Sequence, residues 1–159
     1  MSRPARPDER AHAHPARAAW EFQDPILVDC PACGACASVR VTEPAAEDRF
    51  HRVSFGARRM TCSKCSAVRE QPASQISKPS MGLPLRLVAP TRHGELKFYN
   101  LEHLDYVRAY LADRVRTETF TEDGPRNASV FSRLPAWAKR AQARDEVLAA
   151  IDKARAKAA

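Results

Sequence analysis

The chain has 159 residues, enough for one ordinary domain or two small ones, and its 44% hydrophobic content is that of a globular protein. Twelve prolines against five glycines favour small modules separated by rigid breaks over one large core. The formal charge of +7 and pI near 9.5 point to anionic partners, nucleic acid or an acidic protein; no apolar run is long enough to span a bilayer, which excludes a membrane-embedded class.

Residues 1–25 are rich in Pro, Ala, Arg and His, show no sustained period and carry four basic and four acidic side chains. They are expected to form a disordered tail; the alternative is that Ala16 to Phe22 make a helical turn or dock Trp20 and Phe22 on the next module. His12 and His14, two apart ahead of Pro15, read as incidental rather than as a metal site. The segment lacks the apolar core of a secretory signal, and Asp8 and Glu9 argue against a mitochondrial one, so the expected compartment is the cytoplasm.

From Ile26 to Gln71 the pattern alternates between short strands and cysteine turns. Ile26-Leu27-Val28 leads into Cys30-Pro31-Ala32-Cys33-Gly34, and Ser38 to Thr42 leaves it. Arg58 to Thr61 leads into Cys62-Ser63-Lys64-Cys65, and Ala67 to Arg69 leaves that. A two-residue spacer lets both sulfurs of a tight turn face one point, so Cys30, Cys33, Cys62 and Cys65 supply the four thiolates of a tetrahedral zinc site. Free or redox-active thiols are the alternative, but they do not explain two such pairs in one chain. A tetrathiolate ion has no open position, so the expected role of one Zn2+ is structural. Zinc thiolates also imply a reducing compartment. The fifth cysteine, Cys36, reads as a small buried side chain on the departing strand, with a ligand or redox role through the competing pair Cys33-Gly34-Ala35-Cys36 as its alternative.

These two turns resemble the zinc ribbon of transcription factors and RNA polymerase subunits, over residues 26–71. That resemblance implies two hairpins sharing one ion, and it leaves open DNA binding, RNA binding or protein docking. The 28 residues between Cys33 and Cys62 exceed the usual ribbon spacing and imply a longer hairpin or loop around residues 43–56. Positions 49–69 hold Arg49, Arg52, Arg58, Arg59, Lys64 and Arg69 and no acidic residue. Interleaved with Phe50, His51 and Phe55, they could lie on phosphates and stack on unpaired bases. The other reading is a solvated strand face, with Phe50 and Phe55 in the ribbon's small core.

Residues 72–81 form a polar linker, and residues 82–159 a second module. Leu83 to Val88 and Glu95 to Tyr99 flank the turn Thr91-Arg92-His93-Gly94, which makes a β-hairpin. Asn100 stands at a helix N-cap, and Leu101, Leu104, Leu111 and Val115 fall on one face of a helix ending near Arg116. Residues 117–130 form a loop around Asp123-Gly124-Pro125. Two short helices come next, with stripes Leu134, Trp137, Ala138, Ala141 and Val147, Leu148, Ile151. Gly82 to Leu85, Tyr99 to Leu104 and Ser132 to Trp137 resemble a group of small bacterial zinc-ribbon proteins with a helical tail, which implies no particular activity.

Tyr99, Tyr106 and Tyr110 read as core-packing aromatics, with a contact surface as the alternative. His93 and His103 lack a matching carboxylate or cysteine partner and carry no catalytic constellation. No phosphate loop, nucleophile elbow or dinucleotide fingerprint is present, and no small-molecule substrate is implied. The expected fold is α+β: a zinc ribbon, a β-hairpin, one longer helix and two short C-terminal helices. The expected function is non-enzymatic, transcription-associated nucleic-acid binding through backbone contacts. Its rival is a protein-interaction adaptor in which the ribbon is a clip and the stripes of residues 101–115 and 134–151 dock a partner.

Overall fold

The computed structural model describes residues 12–43, 47–119 and 129–159, with the backbone alone at residues 12, 13 and 117–119. It is a mixed α+β protein built on two apolar centres. The first is a four-stranded antiparallel sheet in chain order, β2 (Ile26–Asp29), β3 (Cys36–Val41), β4 (Arg58–Cys62) and β5 (Val68–Gln71). Because strand side chains alternate, Ile26, Val28, Ala37, Val39 and Met60 all reach one face and are buried there. Cys30 and Cys62 close that small core at the metal end.

Residues 43–56, expected as an extended hairpin or loop, instead contain a helix, α1 (Arg49–Phe55). Asp48 caps it by accepting the His51 N–H at 3.0 Å, and Val53 is its buried anchor. Residues 44–46 of the expected loop lie outside the described residues.

The second centre gathers β6 (Leu87–Thr91), β7 (Gly94–Phe98), α2 (Leu101–Ala112) and α3 (Arg144–Ala156) around Leu87, Phe98, Leu104, Val107, Leu111, Phe131, Val147 and Ile151. The stripes read from the sequence on both helices therefore face each other inside the protein. Asn100 caps α2 through its Oδ1 and the His103 N–H at 2.8 Å. At the other end α2 stops at Ala112, short of Arg116. There the Arg116 guanidinium donates to the carbonyls of Leu111 and Asp113, and Val115 is left exposed. Residues 134–143, expected as a helix, form two 3-10 turns, Ala136–Lys139 and Ala141–Ala143. The Asp123-Gly124-Pro125 turn lies outside the described residues.

The expected tail is the largest correction. β1 (His12–Pro15) pairs in parallel with β8 (Arg116–Thr119), and a 3-10 turn (Ala19–Phe22) sets Phe22 fully inside the second core. His14 lies edge-on to Tyr110 and Phe131, with its Nε2 2.5 Å from an Asp113 carboxylate oxygen, so it is a packing residue. Composition predicts a tail here because the partners that order the segment lie about a hundred residues away. Residues 1–11 lie outside the described residues.

The two centres are joined by backbone. Leu27 donates to the Tyr99 carbonyl at 2.7 Å, Asp29 to Pro84 at 2.9 Å, and Arg86 to Leu27 at 2.9 Å. Residues 84–86 thus run beside β2, with a bridge between Val28 and Leu85, and the hairpin proper begins at Leu87. Asn100 Nδ2 adds bonds to the carbonyls of Phe22 and Pro25 at 2.8 and 2.9 Å. Among the described residues no helix is long and apolar enough to cross a membrane.

Candidate metal centre and basic face

The two cysteine turns repeat one backbone plan. In the first, the Gly34 N–H reaches the Cys30 carbonyl at 2.8 Å, and the Cys30 N–H reaches the Ala35 carbonyl at 2.7 Å. In the second, Ser66 and Cys62 bond in the same sense at 3.0 Å, and Cys62 donates to Ala67 at 3.0 Å. Closing each turn requires a left-handed residue after the second cysteine. Gly34 takes it at φ 74°, and Ser66 takes it at φ 62° against the steric preference of an L-residue.

The four Sγ atoms lie within 4.8 Å of one another, and the Cys30–Cys65 and Cys33–Cys62 pairs are 3.6 Å apart. A tetrahedron of sulfurs about 2.3 Å from a central ion has edges of about 3.8 Å. The cluster has that size, so it could hold a metal ion. Its electrostatics agree. The Cys33 N–H, then the Ala32 N–H, lower the Cys30 pKa, and the Cys65 and Lys64 N–H groups bring Cys62 down to about 6. Cys65 accepts the Ala67 N–H, which favours its thiolate, yet the crowding sulfurs and burial push it up to about 12. Four thiolates cannot share this volume without a cation between them.

Arg86 buttresses the first turn. Its guanidinium bonds Asp29 Oδ1 at 2.9 Å, the Gly34 carbonyl at 3.1 Å and the Lys157 carbonyl at 2.9 Å, linking the turn to the end of α3. Cys36 stands apart from the cluster, and burial raises its thiol pKa, which makes it a poor nucleophile.

The six basic residues read from the sequence are not equivalent. Arg58 is 2% exposed, and its guanidinium donates to the carbonyls of Gln23 (2.8 Å) and Val53. Burial pushes its pKa down, while Asp24 pulls the other way. It is a structural peg between the 3-10 turn, α1 and the sheet, and cannot touch a phosphate in this fold. Arg52 is also turned inward, bonding the Glu43 carbonyl at 3.0 Å with Asp24 3.8 Å away.

Arg49, Arg59, Lys64 and Arg69 are exposed. Arg59 pairs with Glu70 at 2.7 Å across the β4–β5 ladder. A seventh residue belongs with them. Arg40 stands directly opposite Arg59 in the β3–β4 ladder and is also exposed. Opposed like charges cost stability. Its signal lay in the strand alternation, which puts Arg40 outside because Val39 is inside.

His103 is buried with its ring stacked near Phe22 and Tyr99, and its Nδ1 accepts the Tyr99 N–H at 3.0 Å. Desolvation, then the nearby Arg17, pushes its pKa down to about 4. His93 stacks on Trp137 beside Arg92 and Glu146, away from His103 and from the cysteines. Neither histidine joins a catalytic group among the described residues. Comparison of the chain with protein-family models, curated proteins and solved structures yields no match, so the reading of this site rests on its own geometry.

Proposed function

We propose that the protein is a zinc-ribbon module that binds nucleic acid through the basic face of its sheet, in a transcription-associated and non-enzymatic role. All four donors are cysteine sulfurs within 4.8 Å of one another, which as thiolates are the set preferred by a structural Zn2+ and leave no donor position for water. The ion would rigidify the two turns and replace a core too small to hold the sheet alone.

One observation carries the nucleic-acid reading: Arg40 and Arg59 stand side by side on the exposed face with Glu70 as their one carboxylate partner among the described residues. Phosphates would relieve that repulsion, and exposed Arg49 and Lys64 add charge, whereas Arg69 pairs with Met60 and falls on the other face. The adaptor reading loses its surface, because Leu104, Val107, Leu111, Val147 and Ile151 are enclosed by one another.

The test is a salt titration of metal-loaded protein against a labelled duplex, comparing wild type with the Arg40→Glu/Arg59→Glu double variant. Two lost phosphate contacts should flatten the slope of log K against log salt by about 2. Equal slopes would remove this face from the interface. Metal analysis should find one zinc per chain, and cobalt should give the visible bands of a tetrahedral tetrathiolate.

A further inference from the structure

We infer that the preferred polymer is single-stranded, and that its bases stack on an aromatic platform formed by Phe50 and Trp20. The inference rests on the nucleic-acid reading above and sharpens it. Phe50 is 47% exposed on α1, the one aromatic ring that open among the large hydrophobic side chains of the described residues. α1 does not need it for anchoring, since Val53 already faces the interior. Phe50 meets Trp20 at 5.6 Å and 80° and Phe55 at 6.3 Å and 88°. Both contacts are edge-to-face, so Phe50 is not sandwiched.

The Arg49 guanidinium lies 5.5 Å from the Trp20 ring centroid, and exposed His51 lies 5.1 Å from Phe55. Arg49 therefore sets a cation beside the rings, while Arg52 is turned inward, and a cation next to an aromatic platform suits a strand whose bases stack while its phosphate is neutralised. Four of the carboxylates nearby are engaged by the fold, and Glu47 is exposed. Asp48 caps α1, Asp24 accepts the Val41 N–H at 3.1 Å, Glu43 accepts the Ala57 N–H at 3.2 Å, and Glu21 accepts the Ala18 N–H at 2.6 Å.

α1 is inserted between β3 and β4, beyond the end of the ladder that Val41 and Arg58 close. The inward Arg58 donates to the Val53 carbonyl, so α1 lies toward the inner face, and the Arg40–Arg59 pair stands on the outer one. A flexible single strand stacked on Phe50 would meet Arg49 first and turn round the end of the sheet to reach those guanidinium groups. A duplex keeps its bases stacked on one another and offers an exposed ring little to grip.

The experiment uses the full metal-loaded chain carrying Trp137→Phe, so that Trp20 is the one remaining tryptophan. Oligo(dT), oligo(U) and a duplex of equal length are titrated at one salt concentration, read by Trp20 fluorescence and by anisotropy of the labelled probe. Single strands should bind more tightly than the duplex and quench Trp20. Phe50→Ala should weaken single-strand binding about tenfold and Phe50→Tyr should restore it, with duplex binding and metal content unchanged. Equal binding of single strand and duplex, untouched by Phe50→Ala, would overturn the stacking platform and leave the electrostatic reading standing. No binding of any probe would sink both. The two single-stranded probes separate DNA from RNA.

Discussion

The two apolar centres solve the same problem with different means. The second encloses sixteen buried residues, among them Phe22, Phe98 and Phe131, between two helices and a hairpin. The first encloses seven, of which two are cysteines and one is alanine. Ile26, Val28, Val39 and Met60 contribute about 2 kcal/mol each on burial. Ordering each strand residue costs about 1 kcal/mol or more, so the sheet is left in deficit without a cross-link. Where side-chain volume is scarce, four clustered cysteines that could hold a metal ion take its place.

Metal removal breaks the comparison most severely. A strong chelator, or Cys62→Ser, should withdraw on the order of 10 kcal/mol from the sheet. Amide exchange should then show β2 to β5 unprotected while α2 and α3 keep their protection; equal loss in both would mean that the ribbon holds up the whole chain. Next in size is Arg58→Glu, which puts a carboxylate against two carbonyl oxygens in a dry site and should cost about 4 kcal/mol in urea unfolding. Arg59→Glu, one residue on and exposed, should cost less than 1 kcal/mol.

The packed module carries an acid sensitivity of its own. His103 titrates near 4 when folded and near 6.5 when unfolded, so between those values the unfolded chain binds the extra proton. Stability should be complete above about pH 6.5 and fall by about 3 kcal/mol as pH drops to 4. Difference curves against His103→Phe isolate this slope from that of the thiolates; parallel curves would rule it out. The smallest effect compares the two turns. Ser66→Gly removes a left-handed strain and should gain about 1 kcal/mol in thermal unfolding of the loaded protein, whereas Gly34→Ala should lose about that much.

The cysteine cluster was legible because its turn chemistry is local: each pair and its spacer span four residues, and Gly34 directly follows the first. The Asn100 cap and the hairpin turn at Arg92-His93 were legible for the same reason. Arg58 was misread although a signal was there. Counting by two from Cys62 through Met60 reaches Arg58, so the strand period already placed it on the inner face. α1 escaped notice because two turns are too short to show a period, and Phe, His, Val and Ser are weak helix formers. The first residues were misread because nothing within them says that Phe22 packs on His103 and Tyr106 of α2.

That last feature sets the order of assembly during synthesis. His14 and Asp113 are 99 residues apart in the chain. At roughly 5–20 residues per second on a ribosome, the leading strand waits on the order of 5–20 s for its mate. The cysteine turns emerge well before that, so the four-stranded sheet and its cysteine cluster can come together while the opening segment is still without a seat.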